Sequence, residues 1–205
     1  MVTTATVAAW ITRYAAIIDE NEALLTELDS PIGDADHGAN MARGMAAAVP
    51  GIDAVPTIDA QLKQVGMAML SKVGGTSGPL YGTLFLRAAM ALGARAEVAS
   101  SEFAEALATG AAALAERGKA DPGDKTMVDA LAPAVAALER ALSEGHGFAD
   151  AAAAAFEAAD AGREATTPML ARKGRASYLG ERSVGHTDPG ATSAAYLFRA
   201  LQEVA

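Results

Sequence analysis

The stretch of sequence that decides the fold class is "TATVAAWITRYAAIIDENEALLTEL", residues 4–28. Its large apolar side chains recur every three or four residues, with charged side chains between them. This spacing places the apolar side chains on one face of a helix and predicts an amphipathic helix from about Thr4 to Leu28, ending at Asp29 and Ser30. The residues of the apolar face are Trp10, Ile11, Tyr14, Ile17, Ile18, Leu25 and Leu28.

The rest of the chain continues the helical pattern. No segment shows the sustained alternation or the β-branched run of a strand, so no strand is predicted. The sequence therefore predicts an all-α fold in a single domain spanning residues 1–205. Further helices are predicted near 38–49, from 57 or 59 through 70, and over about 79–95, 101–117, 127–144, 148–170 and 191–205.

Composition supports this fold class and excludes several kinds of partner. Hydrophobic residues make up 51% of the chain and aromatic residues 5%, so the core must consist of Ala, Leu, Val, Ile and Met. The net charge of −9 argues against binding to nucleic acid or to an anionic membrane surface. No cysteine is present, and the N-terminus lacks the pattern of a signal peptide. We expect a soluble, cytoplasmic protein.

The unusual residues gather in four connectors between the predicted helices, at 29–40, 74–78, 118–126 and 174–190. Loops positioned by a rigid scaffold commonly carry function. In each connector taken alone, Gly, Asp and Pro are equally well explained as turn residues.

The first connector holds Asp29, Asp34 and Asp36 within eight residues. Carboxylate oxygens are ligands that Mg²⁺ and Ca²⁺ prefer. An EF-hand is excluded, because a loop starting at Asp34 would place Gly38 and Met45 at ligand positions. A Mg²⁺ site completed by substrate phosphates remains, and so does the alternative that Asp34 and Asp36 are turn and N-cap residues.

The next residue, His37, has three candidate roles: a nucleotide contact, a general base, or a hydrogen-bonded side chain at a helix start. The sequence by itself favours the last role. The second connector, "GGTSG" at 74–78, directly precedes a helix. Its glycines and the helix N-terminus suit an anion, although a glycine-rich turn with Ser77 as N-cap explains the stretch equally well.

The third connector lies within "GKADPGDKTM", residues 118–127, and resembles a P-loop. The match fails because Asp124 intrudes before Lys125 and because a helix, instead of a strand, precedes it. Lys125 and Thr126 remain candidates for nucleotide contact or helix capping, with capping favoured for Thr126.

The fourth connector and the residues just before it concentrate basic side chains in an acidic chain. These side chains suit phosphate groups, although the stretch taken alone favours a solvated charge run with a turn at residues 188–190. Together the four connectors hold the components of metal-assisted phosphoryl chemistry. The basic residues are Arg172, Lys173, Arg175 and Arg182.

Four motifs in order extend this pattern over nearly the whole chain: "IGDADHGANMARG" (32–44), "SKVGGTSGPLYGT" (71–83), "RGKADPGDKTMVDAL" (117–131) and "GRASYLGERSVGHTDPGATS" (174–193). On these motifs the chain resembles the ADP-binding L subunits of dihydroxyacetone kinases. The resemblance implies a barrel of eight antiparallel amphipathic helices with a nucleotide site in the loops at one end.

The resemblance also implies site residues. Asp29, Asp34 and Asp36 would hold two Mg²⁺ ions that bridge the phosphates of ADP or ATP. No catalytic residue is assigned on this subunit. The implied nucleotide-binding residues are His37, Gly38, Ala39, Asn40, Thr76, Ser77, Gly118, Met127, Arg175, Asp188, Pro189 and Gly190.

The resemblance further implies partners. Dihydroxyacetone would be held covalently on a separate K subunit, and bound ADP would be rephosphorylated by a phosphohistidine subunit of the phosphotransferase system. Two alternatives stay open: an ATP-dependent kinase subunit for dihydroxyacetone or another small ketose or polyol, and a nucleotide-state sensor that controls a transcription regulator. The sequence leaves the oligomeric state open, a homodimer included.

Overall fold

The computed structural model describes all residues, 1–205, and is mostly helical, as predicted. It contains nine α-helices, two 3-10 helices and two short strands. The α-helices are α1 (Thr4–Glu20), α2 (Glu22–Asp29), α3 (His37–Ala48), α4 (Ile58–Lys72), α5 (Ser77–Leu92), α6 (Ser100–Gly118), α7 (Val128–Ser143), α8 (Phe148–Ala165) and α9 (Pro189–Val204). The 3-10 helices are Ile52–Ala54 and Arg175–Ser183, and the strands are β1 (Val2–Thr3) and β2 (Glu97–Val98).

The first predicted helix is broken at Asn21, which separates α1 from α2. The Asn21 side-chain amide donates to the Ile17 carbonyl at 2.7 Å, and its backbone leaves helical geometry at ψ 16°. Asparagine side chains compete with the backbone for hydrogen bonds in this way. The prediction of one uninterrupted helix to Leu28 was therefore wrong at this residue.

Two further expectations were wrong in detail. The expectation of no strand fails because β1 and β2 pair antiparallel, with Val2 opposite Val98. Strands of two residues are too short to show alternation in the sequence. The seventh predicted helix, expected to reach residue 170, ends at Ala165, where the Thr166 hydroxyl donates to the Arg163 carbonyl at 2.6 Å.

The helices pack in chain order around one core. From α3 onward each helix packs against the next, and α9 also packs against α1. The core is built from Ala and aliphatic side chains around a few aromatic ones, with the Trp10 and Phe103 rings 5.6 Å apart. A Cβ at Gly162 of α8 would lie 2.1 Å from the Asp129 carbonyl oxygen, so glycine allows α7 and α8 to approach closely. None of the helices is long and apolar enough to span a membrane.

Candidate functional site

The four connectors meet around one cavity of about 750 Å³. Small-molecule sites typically measure roughly 300–1,000 Å³, so the cavity is large enough for a nucleotide. The residues that line this cavity are separated by as many as 161 positions in the sequence, from 29 to 190. Of the predicted site residues, the cavity is lined by Asp29, Asp34, Asp36, His37, Asn40, Thr76, Ser77, Gly118, Met127, Arg175, Asp188, Pro189 and Gly190.

Two predicted residues lie outside its wall. Gly38 faces α2, and a Cβ there would lie 2.1 Å from the Glu22 carbonyl oxygen. Ala39 is exposed on α3. A nucleotide contact of either residue stays a prediction.

Three carboxylates form an acidic cluster at the cavity. The ligand oxygens of Asp29, Asp34 and Asp36 all lie within 4.8 Å of one another. Asp29 is buried at the end of α2, where its Oδ2 accepts the backbone N–H groups of Asp36 at 2.9 Å and His37 at 3.3 Å. These bonds anchor Asp29 and hold the start of α3 against it.

The backbone around the acidic cluster is specialised. A Cβ at position 33 would lie 1.9 Å from Asp29 Oδ1, so Gly33 leaves room for that carboxylate. Ala35 has a φ of +59°, in the left-handed region that non-glycine residues avoid at a cost of roughly 1–2 kcal/mol. Local strain of this kind clusters at binding sites, where the surrounding structure maintains it.

The acidic cluster fits a hard cation. Asp36 occupies the N-cap position of α3, as the capping alternative predicts, but makes no side-chain cap hydrogen bond, so its carboxylate is not used by the helix. Asp34 is exposed and pairs with Arg175, its Oδ2 lying 2.8 Å from a guanidinium nitrogen. Asp29 and Asp34 each use only Oδ2 within the protein, for backbone N–H groups and for Arg175 respectively, and free carboxylate oxygens that converge are the donor set that Mg²⁺ prefers.

Opposite these carboxylates, residues 74–77 lead into α5. Gly75 has a φ of +63°, and Thr76, the residue before the helix, makes no side-chain cap hydrogen bond. Ser77 is equally free of capping, and its Oγ lies 3.3 Å from His37 Nδ1. The first N–H groups of α5 are therefore available to an anion.

His37 is buried between this loop and α9. Its Nε2 lies 2.9 Å from Ser193 Oγ. Burial lowers the pKa of His37 to about 4, although Asp29 and Asp36 act in the opposite direction. A side chain with that pKa is a weak base at neutral pH, so the geometry agrees with the predicted structural role at the helix start.

The third connector is held together internally. Lys125 is 1% exposed, and its Nζ donates to the carbonyls of Thr166, Thr167 and Met169 at 2.8, 3.3 and 3.1 Å. All three ammonium protons are thus used. Burial lowers the pKa of Lys125. Thr126 precedes Met127, the N-cap residue of α7, and its Oγ1 accepts the Val128 N–H at 3.1 Å, so it satisfies one N–H at the start of that helix without occupying the cap position.

One side of the cavity is apolar, formed by Leu80, Leu114, Met127 and Val128 next to Gly118. Such a wall suits the planar face of a nucleobase. Gly190, at the start of α9, lies beside Met127 of this wall, and Asp188 caps α9 by accepting the Ala191 N–H at 2.7 Å. Burial raises the pKa of Asp188 to about 7, with a further increase from the charge of Asp129.

Sequence reasoning missed the contacts through which two residues organise the site. Lys125 was singled out, but its backbone partners more than 40 positions away gave no signal in the sequence. Ser193 closes the fourth motif, "GATS", and was considered only as part of the resemblance. Its contacts to His37 and Tyr81 connect three elements of the site.

Comparisons with known proteins agree with this geometry. The protein-family model described as "DAK2 domain" matches residues 31–203 of the sequence. The chain is 46% identical over 94% of its length, and 92% of the relative's, to the "PEP-dependent dihydroxyacetone kinase, ADP-binding subunit DhaL" of Escherichia coli. It is 42% identical over its full length, and 99% of the relative's, to the "PTS-dependent dihydroxyacetone kinase, ADP-binding subunit DhaL" of Lactococcus lactis.

Among solved structures, the chain matches the dihydroxyacetone kinase from C. freundii in complex with AMP-PNP and Mg²⁺, with a TM-score of 0.76 and 31% identity. The match covers 97% of this chain and 34% of the C. freundii chain, so this protein spans about a third of that kinase. The family match and the identities show that the chain belongs to the DAK2 domain family, together with the ADP-binding subunits of dihydroxyacetone kinases.

Proposed function

We propose that this protein is the nucleotide-binding subunit of a dihydroxyacetone kinase and holds ADP or ATP with two Mg²⁺ ions in the cavity. The observation that carries the proposal is the convergence of three carboxylates, within 4.8 Å of one another, on a cavity that the uncapped start of α5 also lines. One feature suits cations and the other suits phosphates. The relatives named ADP-binding subunits and the kinase solved with AMP-PNP and Mg²⁺ support the same ligands.

Different residues of the cavity would contact different parts of the nucleotide. Asp29, Asp34 and Asp36 would hold the metal ions, which neutralise phosphate charge when bound. The start of α5 with Thr76 and Ser77 would receive phosphate oxygens. The apolar wall that includes Met127 would receive the base.

The remaining predicted residues enclose the ligand. Arg175 would add positive charge near the phosphates, since it lies beside Asp34. Asp188, Pro189 and Gly190, at the start of α9, would close the site beside Met127. Residues 37–40 would border the phosphates. The His37 ring would be held in place by its hydrogen bond with Ser193.

We also propose that the helices form an eight-membered antiparallel barrel with the site at one end. Counting α1 and α2 as one member, the remaining helices follow in chain order, and α9 packs against α1. This closed succession supports a barrel, and the gathering of the connectors around one cavity supports a site at its end.

The cavity presents positioning and charge without a nucleophile of its own, which suffices for the donor side of phosphoryl transfer. We propose that dihydroxyacetone is held covalently on a separate K subunit and that a phosphohistidine subunit of the phosphotransferase system rephosphorylates bound ADP. The relatives named PEP-dependent and PTS-dependent support this branch over one that exchanges ATP. A cytoplasmic location remains the prediction of the sequence.

The decisive experiment identifies the nucleotide that leaves the purified protein on denaturation, then chases the bound nucleotide with excess labelled ATP in Mg²⁺. We expect stoichiometric ADP that resists exchange. Rapid exchange would instead support an ATP-dependent kinase subunit, and absence of nucleotide binding would contradict the proposal. Product formation with purified K subunit separates an enzyme subunit from a nucleotide-state sensor, which would form no product.

A further inference from the structure

A buried hydroxyl joins three parts of the site from inside the fold. Ser193, on α9, is fully buried, and its Oγ has three polar neighbours. His37 Nε2 lies 2.9 Å away, the Tyr81 hydroxyl 2.7 Å away and the Gly190 carbonyl oxygen 3.0 Å away. These neighbours belong to the start of α3, to α5 and to the start of α9.

The proton positions follow from what each group can donate. A serine hydroxyl has one proton and two lone pairs, and a carbonyl oxygen can only accept. The Ser193 hydroxyl donates to the Gly190 carbonyl, and with the proton placed there Tyr81 and His37 act as donors to its two lone pairs. A neutral His37 ring then carries its proton on Nε2, which leaves Nδ1 as an acceptor for the Ser77 hydroxyl 3.3 Å away.

We propose that Ser193 is a positioning residue that fixes the His37 ring in its Nε2–H tautomer. Through this ring it holds the first connector, the second connector and the start of α9 together. The locking is direct, because the His37 backbone N–H also donates to the Asp29 carboxylate. The hydrogen bonds of His37 thus connect three residues: its ring contacts Ser193 and Ser77, and its backbone N–H donates to Asp29. Ser193 itself does not line the cavity.

The expected effect on nucleotide binding rests on the proposed function. If the three connectors are held together through Ser193, its loss leaves a buried ring nitrogen without a partner and loosens the site. We expect Ser193→Ala to increase the dissociation rate of bound ADP about tenfold, the size of effect typical for groups that orient metal and ligand contacts.

The test is nitrogen NMR of the His37 ring in the full, isotope-labelled chain at neutral pH. Ring nitrogen shifts distinguish the two neutral tautomers independently of nucleotide binding. We expect one Nε2–H tautomer in the natural protein, and in Ser193→Ala a population shifted towards Nδ1–H, which can donate to Ser77. A natural protein in the Nδ1–H tautomer would overturn the proposal even if no variant folds.

Tyr196→Phe is the matched control. Tyr196 lies on α9 one turn after Ser193, and its hydroxyl donates to Asn21 Oδ1 at 3.4 Å, away from the side chains around Ser193. We expect this variant to keep the Nε2–H tautomer. An equal tautomer shift in Tyr196→Phe and Ser193→Ala, or none in Ser193→Ala, would contradict the proposal. If the tautomers behave as expected but ADP does not bind, the proposed function fails and the positioning role stands.

Discussion

The first and third connectors look alike in sequence and differ in what their polar groups do. Each combines aspartates with glycine and a non-glycine residue in left-handed geometry, Ala35 at φ +59° and Lys125 at φ +61°. In the third connector the polar groups are satisfied internally: Asp124 accepts the Asp121 N–H at 2.9 Å, and Lys125 donates to three carbonyls. In the first, Asp34 and Asp36 remain accessible beside Asp29.

This difference concerns the charged side chains. A charged side chain whose hydrogen bonds are all made within the protein, like that of Lys125, has little to offer a ligand, whereas Asp34 is paired only through Oδ2, with Arg175, and keeps an oxygen free for a cation. The charged side chains of the third connector therefore stabilise a loop that contributes Gly118 to the cavity wall, and those of the first connector form a candidate cation site. Five substitutions test the contrast, in order of decreasing expected effect.

Lys125→Met should have the largest effect, because it removes the group that joins the third connector to the turn after α8. One buried and two partly buried carbonyls lose their donor, and we expect the free energy of unfolding to fall by about 3 kcal/mol. Urea denaturation of the nucleotide-free chain measures this. Lys119→Met is the control: Lys119 is exposed, and we expect a change within about 0.5 kcal/mol. Equal stability of the two variants would show that the third connector is not internally held.

Asp34→Asn and Asp36→Asn should act on binding instead of stability. We expect each to raise the Mg²⁺ concentration needed for half-maximal nucleotide retention at least about tenfold. Helical content by circular dichroism should be unchanged, because both side chains lie in a loop outside the core.

Asp129→Asn, in the first turn of α7, is the control for the Asp34 and Asp36 variants. The two Asp129 oxygens accept the N–H groups of Gly123 and Thr126, and an amide can accept with only one oxygen. We expect it to lower stability by about 1–3 kcal/mol and to leave the Mg²⁺ dependence in place. Unfolding of Asp34→Asn or Asp36→Asn would identify these aspartates as structural and remove the contrast.

Gly33→Ala should weaken the metal site without removing a ligand. Its Cβ would meet Asp29 Oδ1 at 1.9 Å, so the carboxylate must move. We expect the Mg²⁺ requirement for nucleotide retention to rise about fivefold, less than on loss of a ligand group. Gly147→Ala is the control, because the nearest atom to its Cβ is 3.7 Å away. Retention equal in both variants would show that Asp29 tolerates displacement.

Arg175→Ala should have the smallest effect. The Arg175 side chain is 66% exposed, and exposed ion pairs contribute about 0–1 kcal/mol, so we expect almost no change in stability. Phosphoryl transfer with the cognate K subunit should slow about threefold as positive charge near the phosphates is lost. Arg182→Ala, which removes an exposed arginine that does not line the cavity, should leave the transfer rate unchanged. Unchanged transfer in Arg175→Ala would count against its placement at the phosphates.

Much of the fold could be predicted from the sequence because helices depend on local pattern. The apolar spacing located the helices to within a few residues, apart from the break at Asn21 and the end of α8. Both errors arise where a single side chain, Asn21 or Thr166, takes a backbone carbonyl of the preceding turn. The β1–β2 pair was missed because Val2 and Val98 recognise each other only after the chain has folded.

For the site, the sequence by itself determined the three aspartates, the glycine loop and their order, since these depend on residue type and short spacing. Only the tertiary structure decided which connectors meet, which aspartates stay accessible and what Lys125 binds. It also placed Ser193 against His37, 156 positions away. The physical reason is that periodicity and turn chemistry act between neighbours in the chain, whereas the partner of a buried polar group is set by the packing of distant helices.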